Sequence, residues 1–167
     1  MRVLGIDPGS ETLGWGVIEG SGLKYSLVDF GTVKSSPKEA FSKRLLKIYD
    51  GIEAVIKAFK PDVLSIEEAF YANNVKVALK LGQVRGAVLV LGEKSNLEIS
   101  EFAPRLIKQT VVGYGNAEKQ QVQEMVRLLL KMKTVPQPHD AADALAIAIC
   151  HFHHAGVQSR INLAKLK

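Results

Sequence analysis

Cysteine is nearly absent. The one thiol in 167 residues, Cys150, cannot close an internal disulfide and leaves no cysteine-cluster zinc site. It stands in the apolar stretch Ala148-Ile149-Cys150, where a buried structural thiol is expected rather than a nucleophile. No stretch approaches the roughly 20 uninterrupted apolar residues that a membrane-spanning helix needs. The chain goes straight into Arg2-Val3-Leu4-Gly5-Ile6-Asp7, without a basic segment, a long apolar segment and a small-residue cleavage site. No secretory signal is therefore read, and the cytoplasm is the expected compartment. Repeats, low-complexity runs and linkers rich in Pro, Gly or Ser are missing too, so one domain is the simplest organisation.

What is present reads as globular: 47% hydrophobic and 23% charged residues, in a length that can bury a sizeable core. The net charge is +5 and the pI about 9.3. A basic chain favours polyanions through phosphate contacts and counterion release. Many cytoplasmic proteins are mildly basic, so charge alone decides little.

Val3 to Ile6 is a short apolar run ended by the Pro8-Gly9-Ser10 turn signal. Leu13–Ile18 and Leu23–Val33 follow with short connections, which predicts an antiparallel meander of three strands. Ser36-Pro37-Lys38-Glu39 has the form of a capping box with proline at the first helical position. Phe41, Leu45, Ile48, Ile52, Val55 and Phe59 then recur at helical spacing, and Lys60-Pro61 ends the helix. Val63–Ile66 is a buried-type strand with Glu67 at its end. A long helix is expected from about Val75 to Glu93. Gly82 and Gly86, four apart on it, would admit another backbone. Leu97–Phe102 is a fifth strand, and Pro104 opens a short helix through Val112. Asn116 is placed to cap a helix from Ala117 to about Lys131, and a last helix begins near Asp140. The order predicts an α/β domain, a mixed five-stranded sheet flanked by helices, in which strand–helix–strand crossovers give parallel neighbours. The domain is taken as residues 1–155, with 156–167 a basic, flexible tail.

Four carboxylates stand out. Asp7 ends the first strand and Glu67 the fourth, so parallel neighbours would bring them to one sheet edge. Asp140 and Asp143 are three apart at a helix start and share a face, the solvent side if Leu145, Ile149 and Phe152 point inward. Converging acids would repel one another unless a cation sat between them, and carboxylates suit hard ions such as Mg²⁺ or Mn²⁺. Two such ions about 4 Å apart can clamp the attacking and leaving oxygens of a phosphodiester. Each acid also has a plainer reading: a turn residue, a strand-end surface charge, an N-cap, a first-turn acid favoured by the helix dipole.

Gly5-Ile6-Asp7-Pro8-Gly9-Ser10, Ile66-Glu67 followed by Phe70, Leu79-Lys80-Leu81-Gly82-Gln83, Lys108-Gln109-Thr110-Val111-Val112-Gly113, Ala117-Glu118-Lys119 and the run Asp140 to Ala148 together resemble the RuvC-type Holliday junction resolvases. The resemblance covers nearly the whole chain. It implies a ribonuclease-H-like fold, a homodimer, and paired symmetric nicks in opposite strands of a four-way DNA junction, in recombination and repair. By position it implies that Asp7, Glu67, Asp140 and Asp143 are metal-binding catalytic acids for two Mg²⁺ ions, with Mn²⁺ able to substitute and Asp7 the bridging ligand. It makes Lys119 and Lys108 the lysines near the cleaved phosphate, where an ammonium steadies extra negative charge, and Phe70 an aromatic that stacks on unpaired bases. Lys76, Lys80 and Arg85, on or near the long helix, are expected to contact DNA arms, and that helix is the expected dimer contact. The RuvAB branch-migration complex is an implied partner.

Members of the family differ in whether the fourth metal position is Asp or His. His139 adjoins Asp140 here, and the spacing to Asp143 favours Asp140. His151, His153 and His154 read as surface residues near a helix C-terminus. Three other functions stay open on the residues alone. A nuclease of the same fold acting on structured RNA would share the acids. An ATP-binding protein of the actin and sugar-kinase type would need a second phosphate motif that the chain lacks. A catalytically dead junction binder has no support, since all four acids are present.

Overall fold

A computed structural model describes the backbone of residues 1–68 and 74–165, and their side chains through residue 155. Five strands, β1 (Arg2–Asp7), β2 (Thr12–Ser21), β3 (Lys24–Lys34), β4 (Val63–Glu67) and β5 (Glu98–Phe102), form one sheet in the order β3-β2-β1-β4-β5. β1, β2 and β3 are antiparallel neighbours, as the short turns dictate. β4 runs parallel to β1, and β5 parallel to β4. The helix α1 (Phe41–Phe59) precedes β4, and α2 (Val75–Lys94) makes the crossover to β5. The helices α3 (Pro104–Val112), α4 (Lys119–Leu129) and α5 (His139–Lys165) complete the chain. This is the expected mixed five-stranded α/β sheet. α5 runs through the boundary drawn at residue 155 as one helix.

Strand alternation divides the core in two. Leu4, Ile6, Leu64 and Ile66 point to α1 and α2, where they meet Ile48, Ile52, Val84 and Val88. Val3 and Val63 point the other way, to α5, with α3 and α4 outside it. From Ala141 to Phe152 only Asp143 is not buried, so this part of α5 is enclosed on every side. Leu145, Ile149 and Phe152 do face inward.

The alanine-rich sequence of that segment has a mechanical purpose. A Cβ added to Gly5 would fall within 2.1 Å of the Ala144 carbonyl oxygen, and one added to Gly14 within 1.9 Å of the Asp140 carbonyl oxygen. The helix backbone therefore lies directly on the backbone of β1 and β2. Any side chain at either glycine would lift it away.

Two helix starts differ from the sequence reading. Ser36–Glu39 forms one bond of a capping box, Ser36 N–H to Glu39 Oε2 at 3.2 Å, while Ser36 Oγ accepts from Lys38 N–H at 3.3 Å rather than from Glu39, and these bonds close a separate turn. α1 starts only at Phe41, because Ala40 is still extended at φ −55°, ψ 138°. In α4 the cap is Glu118 rather than Asn116: Glu118 N–H donates to Gln121 Oε1 at 2.8 Å. Of the three histidines, His154 is exposed as expected, but the other two are not surface residues. His151 is buried with Nδ1 3.0 Å from Ser100 Oγ, and His153 Nε2 lies 3.0 Å from the Tyr25 hydroxyl. α5 continues well past them, so they sit mid-helix under β3 and β5 rather than at an end. Cys150 is buried as expected, and burial pushes its thiol up to about 11, which leaves no thiolate at neutral pH.

Overpacking a close backbone contact typically costs about 1–3 kcal/mol. Gly5→Ala should therefore lower Tm by several degrees in calorimetry. An unchanged Tm would mean that α5 does not rest on β1 at Ala144.

Candidate active site

Asp7 and Glu67 meet through strand arithmetic. Ile6 pairs with Ile66 across the parallel β1–β4 ladder, so the next residues end their strands side by side. In each strand the odd positions (3, 5, 7 and 63, 65, 67) share the α5 face, where Gly5 touches Ala144 and Ser65 Oγ reaches the Ile147 carbonyl at 3.4 Å. Both carboxylates thus project toward the N-terminal part of α5, which carries Asp140 and Asp143. Gly14, the β2 partner of Asp7, bears on the Asp140 carbonyl, which holds the first turn of α5 beside Asp7. α3 contributes Lys108, and the capped start of α4 contributes Lys119. Asp7, Glu67, Asp143, Lys108 and Lys119 line one cleft of about 180 Å³, whose apolar wall includes Ile107, Val122 and Ile147.

The acids crowd one another. Burial, then the charges of Asp143, Glu67 and Asp140, push the Asp7 carboxyl up to about 7, against the opposing pull of Lys119. Glu67 is raised by burial and by Asp143, while Lys108 and Lys119 oppose the shift. Lys119 Nζ lies 2.6 Å from Asp143 Oδ2. Burial draws its ammonium down, but the hydrogen bond to Asp143 and the charges of Asp143, Asp7 and Asp140 outweigh this and hold it above the ordinary lysine value. The positive end of the α5 dipole also faces this cluster.

Such a set of oxygen donors, partly desolvated and short of positive charge, fits a hard divalent cation. Among the described residues no three His, Cys, Asp or Glu side chains already stand close enough to enclose an ion. The Lys119 ammonium occupies the charge-balancing position at Asp143. Asp140 is near enough to raise Asp7 but does not line the cleft, and His139 beside it is exposed.

Residues 3–151 match the family profile of crossover junction endodeoxyribonuclease RuvC. The chain belongs to the RuvC family. Crossover junction endodeoxyribonuclease RuvC of Chloroflexus aggregans is 46% identical over 98% of this chain and 100% of its own length. That of Geobacter sulfurreducens is 47% identical over 95% of this chain and 96% of its own. Among solved structures, Thermus thermophilus RuvC in complex with Holliday junction substrate superposes with a TM-score of 0.89, at 38% identity, over 95% of this chain and 96% of that one. RuvC-family nucleases are metal-dependent, and the sheet and helices here are those of the ribonuclease-H-like resolvases.

Within this RuvC-family fold the sequence-selected residues separate into groups. Asp7, Glu67, Asp143, Lys108 and Lys119 share the cleft, and Asp140 adjoins it. Lys76 and Lys80 are exposed on α2, with Lys80 Nζ 5.8 Å over the Phe41 ring. Arg85 is turned inward, its side chain 17% exposed and its Nε donating to the Glu67 carbonyl at 3.1 Å. Phe70 and its neighbour Tyr71 lie outside the described residues. One residue escaped sequence reading altogether. Arg44 of α1 is buried, with Nε 3.2 Å from Ser35 Oγ and Nη2 donating to the Ser10 carbonyl in the turn after Asp7. A lone arginine on an amphipathic helix gives no signal of this kind.

The raised Asp7 value sets the sign of a pH effect. In the metal-free fold the carboxyl holds a proton up to about 7 that the unfolded chain releases near 3.8. Its electrostatic cost is therefore absent below the unfolded value, grows as pH rises, and is complete above the folded value. Asp7→Asn removes that cost. It should raise the Tm of the metal-free protein at about pH 8, and the gain should vanish toward about pH 4. A scan with no gain at the higher pH would contradict the crowding.

Proposed function

We propose that this chain is a homodimeric resolvase that cuts four-way DNA junctions by paired symmetric nicks in opposite strands, in homologous recombination and DNA repair. The observation that carries the reading is the shared cleft of Asp7, Glu67, Asp143, Lys108 and Lys119 in a chain that matches the RuvC family from residue 3 to residue 151. Asp7, Glu67, Asp140 and Asp143 would hold two Mg²⁺ ions, with Asp7 between them and Mn²⁺ able to substitute. Bound there, the ions would lower the pKa of an attacking water and neutralise the leaving 3′ oxygen.

The chain's own groups supply the rest. The Lys119 ammonium reaches the Asp143 carboxylate on one side of the cleft and can turn to a phosphate oxygen. Lys108 offers a second charge on the same wall. Together they offset the negative charge that develops on the phosphodiester during cleavage. The apolar wall at Ile107, Val122 and Ile147 limits water there and strengthens these charges. Phe70, between β4 and α2, is proposed to stack on unpaired bases at the crossover.

α2 is the proposed dimer helix. Val75, Val77, Leu79 and Val90 are exposed on it, and apart from the helix's own neighbouring backbone no described atom lies within 4 Å of where a Cβ would stand at Gly82 or Gly86. A two-fold partner suits a near two-fold junction. Lys76 and Lys80 are proposed contacts to DNA arms. The proposed domain is residues 1–155, and the RuvAB complex is the proposed partner. No described helix is long and apolar enough to cross a membrane, and a cytoplasmic site of action accords with that.

The test is cleavage of a synthetic four-way junction with Mg²⁺, beside linear duplex and structured RNA. Wild type should nick opposite strands symmetrically and lose activity in chelator. Asp7→Asn and Glu67→Gln should cut at least about 10³-fold more slowly while still binding the junction. Lys119→Met should slow cleavage about 10²-fold with little change in junction affinity. Folded wild type that binds the junction but leaves it intact with every divalent ion would sink the assignment, and cutting of RNA instead would replace it with a ribonuclease.

A further inference from the structure

Two arginines approach the active site from its rear. Leu4, Ile6, Leu64 and Ile66 define the face of the sheet covered by α1 and α2, opposite the face that carries Asp7 and Glu67. From α1, Arg44 reaches the Ser10 carbonyl just beyond β1. From α2, Arg85 reaches the Glu67 carbonyl at the end of β4, with Nε–O 3.1 Å.

The second contact is the more consequential. Ile66 is the last residue of β4 paired with β1, so the strand loses one neighbour just before its catalytic acid. Glu67 keeps its register with Phe102 of β5, and Glu68 N–H donates to the Phe102 carbonyl at 2.9 Å. Those contacts hold one side of the strand end, and Arg85 holds it from the helix layer. Its fork is used in both directions: Nε bonds the carbonyl while Nη2 pairs with Glu101 of β5. Glu101 is the β5 partner of Ile66 and shares its face, so the pair lies on the α2 side of the sheet. Glu67's carboxylate lies on the other side, with Asp143 and Lys119. Arg85 is not among the charges that shift it, whereas Lys108 and Lys119 are. The influence of Arg85 on Glu67 thus passes through the backbone.

We infer that Arg85, oriented by Glu101, is a positioning residue that fixes the end of β4 so that Glu67 presents its carboxylate to the cleft, rather than a contact to DNA. The inference rests on the resolvase reading of that cleft. With the Glu101 side chain 42% exposed, water screens this ion pair and limits its contribution to stability. Placement is another matter, since a catalytic group displaced by about 1 Å can cost about 10²-fold in rate.

The experiment compares wild type with Arg85→Met, Arg85→Lys and Glu101→Gln on a four-way junction. Junction affinity and its salt dependence are measured in Ca²⁺, single-turnover cleavage in Mg²⁺, and the Tm rise produced by Mg²⁺ without DNA. The expected result is a cleavage rate about 10- to 100-fold lower in all three variants. Junction affinity should stay within about twofold with an unchanged salt slope, and more Mg²⁺ should be needed for the same Tm rise. Arg85→Lys keeps the charge but not the fork, so it should fail nearly as Met does. If Arg85→Met does not fold, Arg85→Lys and Glu101→Gln carry the same comparison. Weakened affinity with a salt slope smaller by about one, seen for Arg85→Met but not for Glu101→Gln, would make Arg85 a phosphate contact and overturn the inference. Unchanged cleavage in the variants would overturn it as well. Wild type that leaves the junction intact would remove the resolvase reading first, and this inference with it.

Discussion

Everything at the cleft depends on how closely α5 lies on the sheet. Two carbonyls of the helix, at Asp140 and Ala144, bear on Gly14 and Gly5 with no room for a methyl group. A helix normally packs at a distance set by interleaved side chains. Here the side chains at the contact have been removed on the sheet side and reduced to alanine on the helix side. The helix comes in by roughly the depth of those missing groups, and Asp143 reaches the acids of β1 and β4.

That proximity has an electrostatic cost which the fold does not relieve by distance. Asp7 is held protonated to about pH 7 by its surroundings, and Glu67 is raised as well. Among the described residues the cations lining the cleft are Lys108 and Lys119, and Lys119 is already bound to Asp143. A protein that keeps several carboxylates this close has given up stability for a binding potential, and hard divalent cations draw on that potential.

Much of this was legible in the chain. The strand order followed from turn spacing, and the meeting of Asp7 with Glu67 followed from two apolar runs that each end in an acid. The motifs at Lys108 and Lys119 pointed to the cleft that the fold then assembled. What stayed hidden involved local signals overruled by tertiary contact. Ser36–Glu39 makes one bond of a capping box, yet Ala40 remains extended and the helix begins later. Asn116 is the better cap by residue type, but Glu118 pairs with Gln121 three residues on. His151 looked like a polar residue near a helix end, whereas the helix continues and covers it with β5. Arg85 looked like one more surface cation on a basic helix. Only the fold reveals that its fork is already taken up by a carbonyl and a carboxylate.

The enclosed stretch of α5 also limits how such an enzyme can change over time. Its first turns hold acids, and the turns that follow are hydrophobic core, on one rigid rod pressed against bare backbone. A larger side chain between Ala141 and Ala148 would tilt that rod and displace Asp143 with it. Heat tolerance won by filling this half of the core would be lost in chemistry. The layer under α1 and α2 holds no acid of the cleft, so the adaptive freedom of the fold lies there, away from the two arginines.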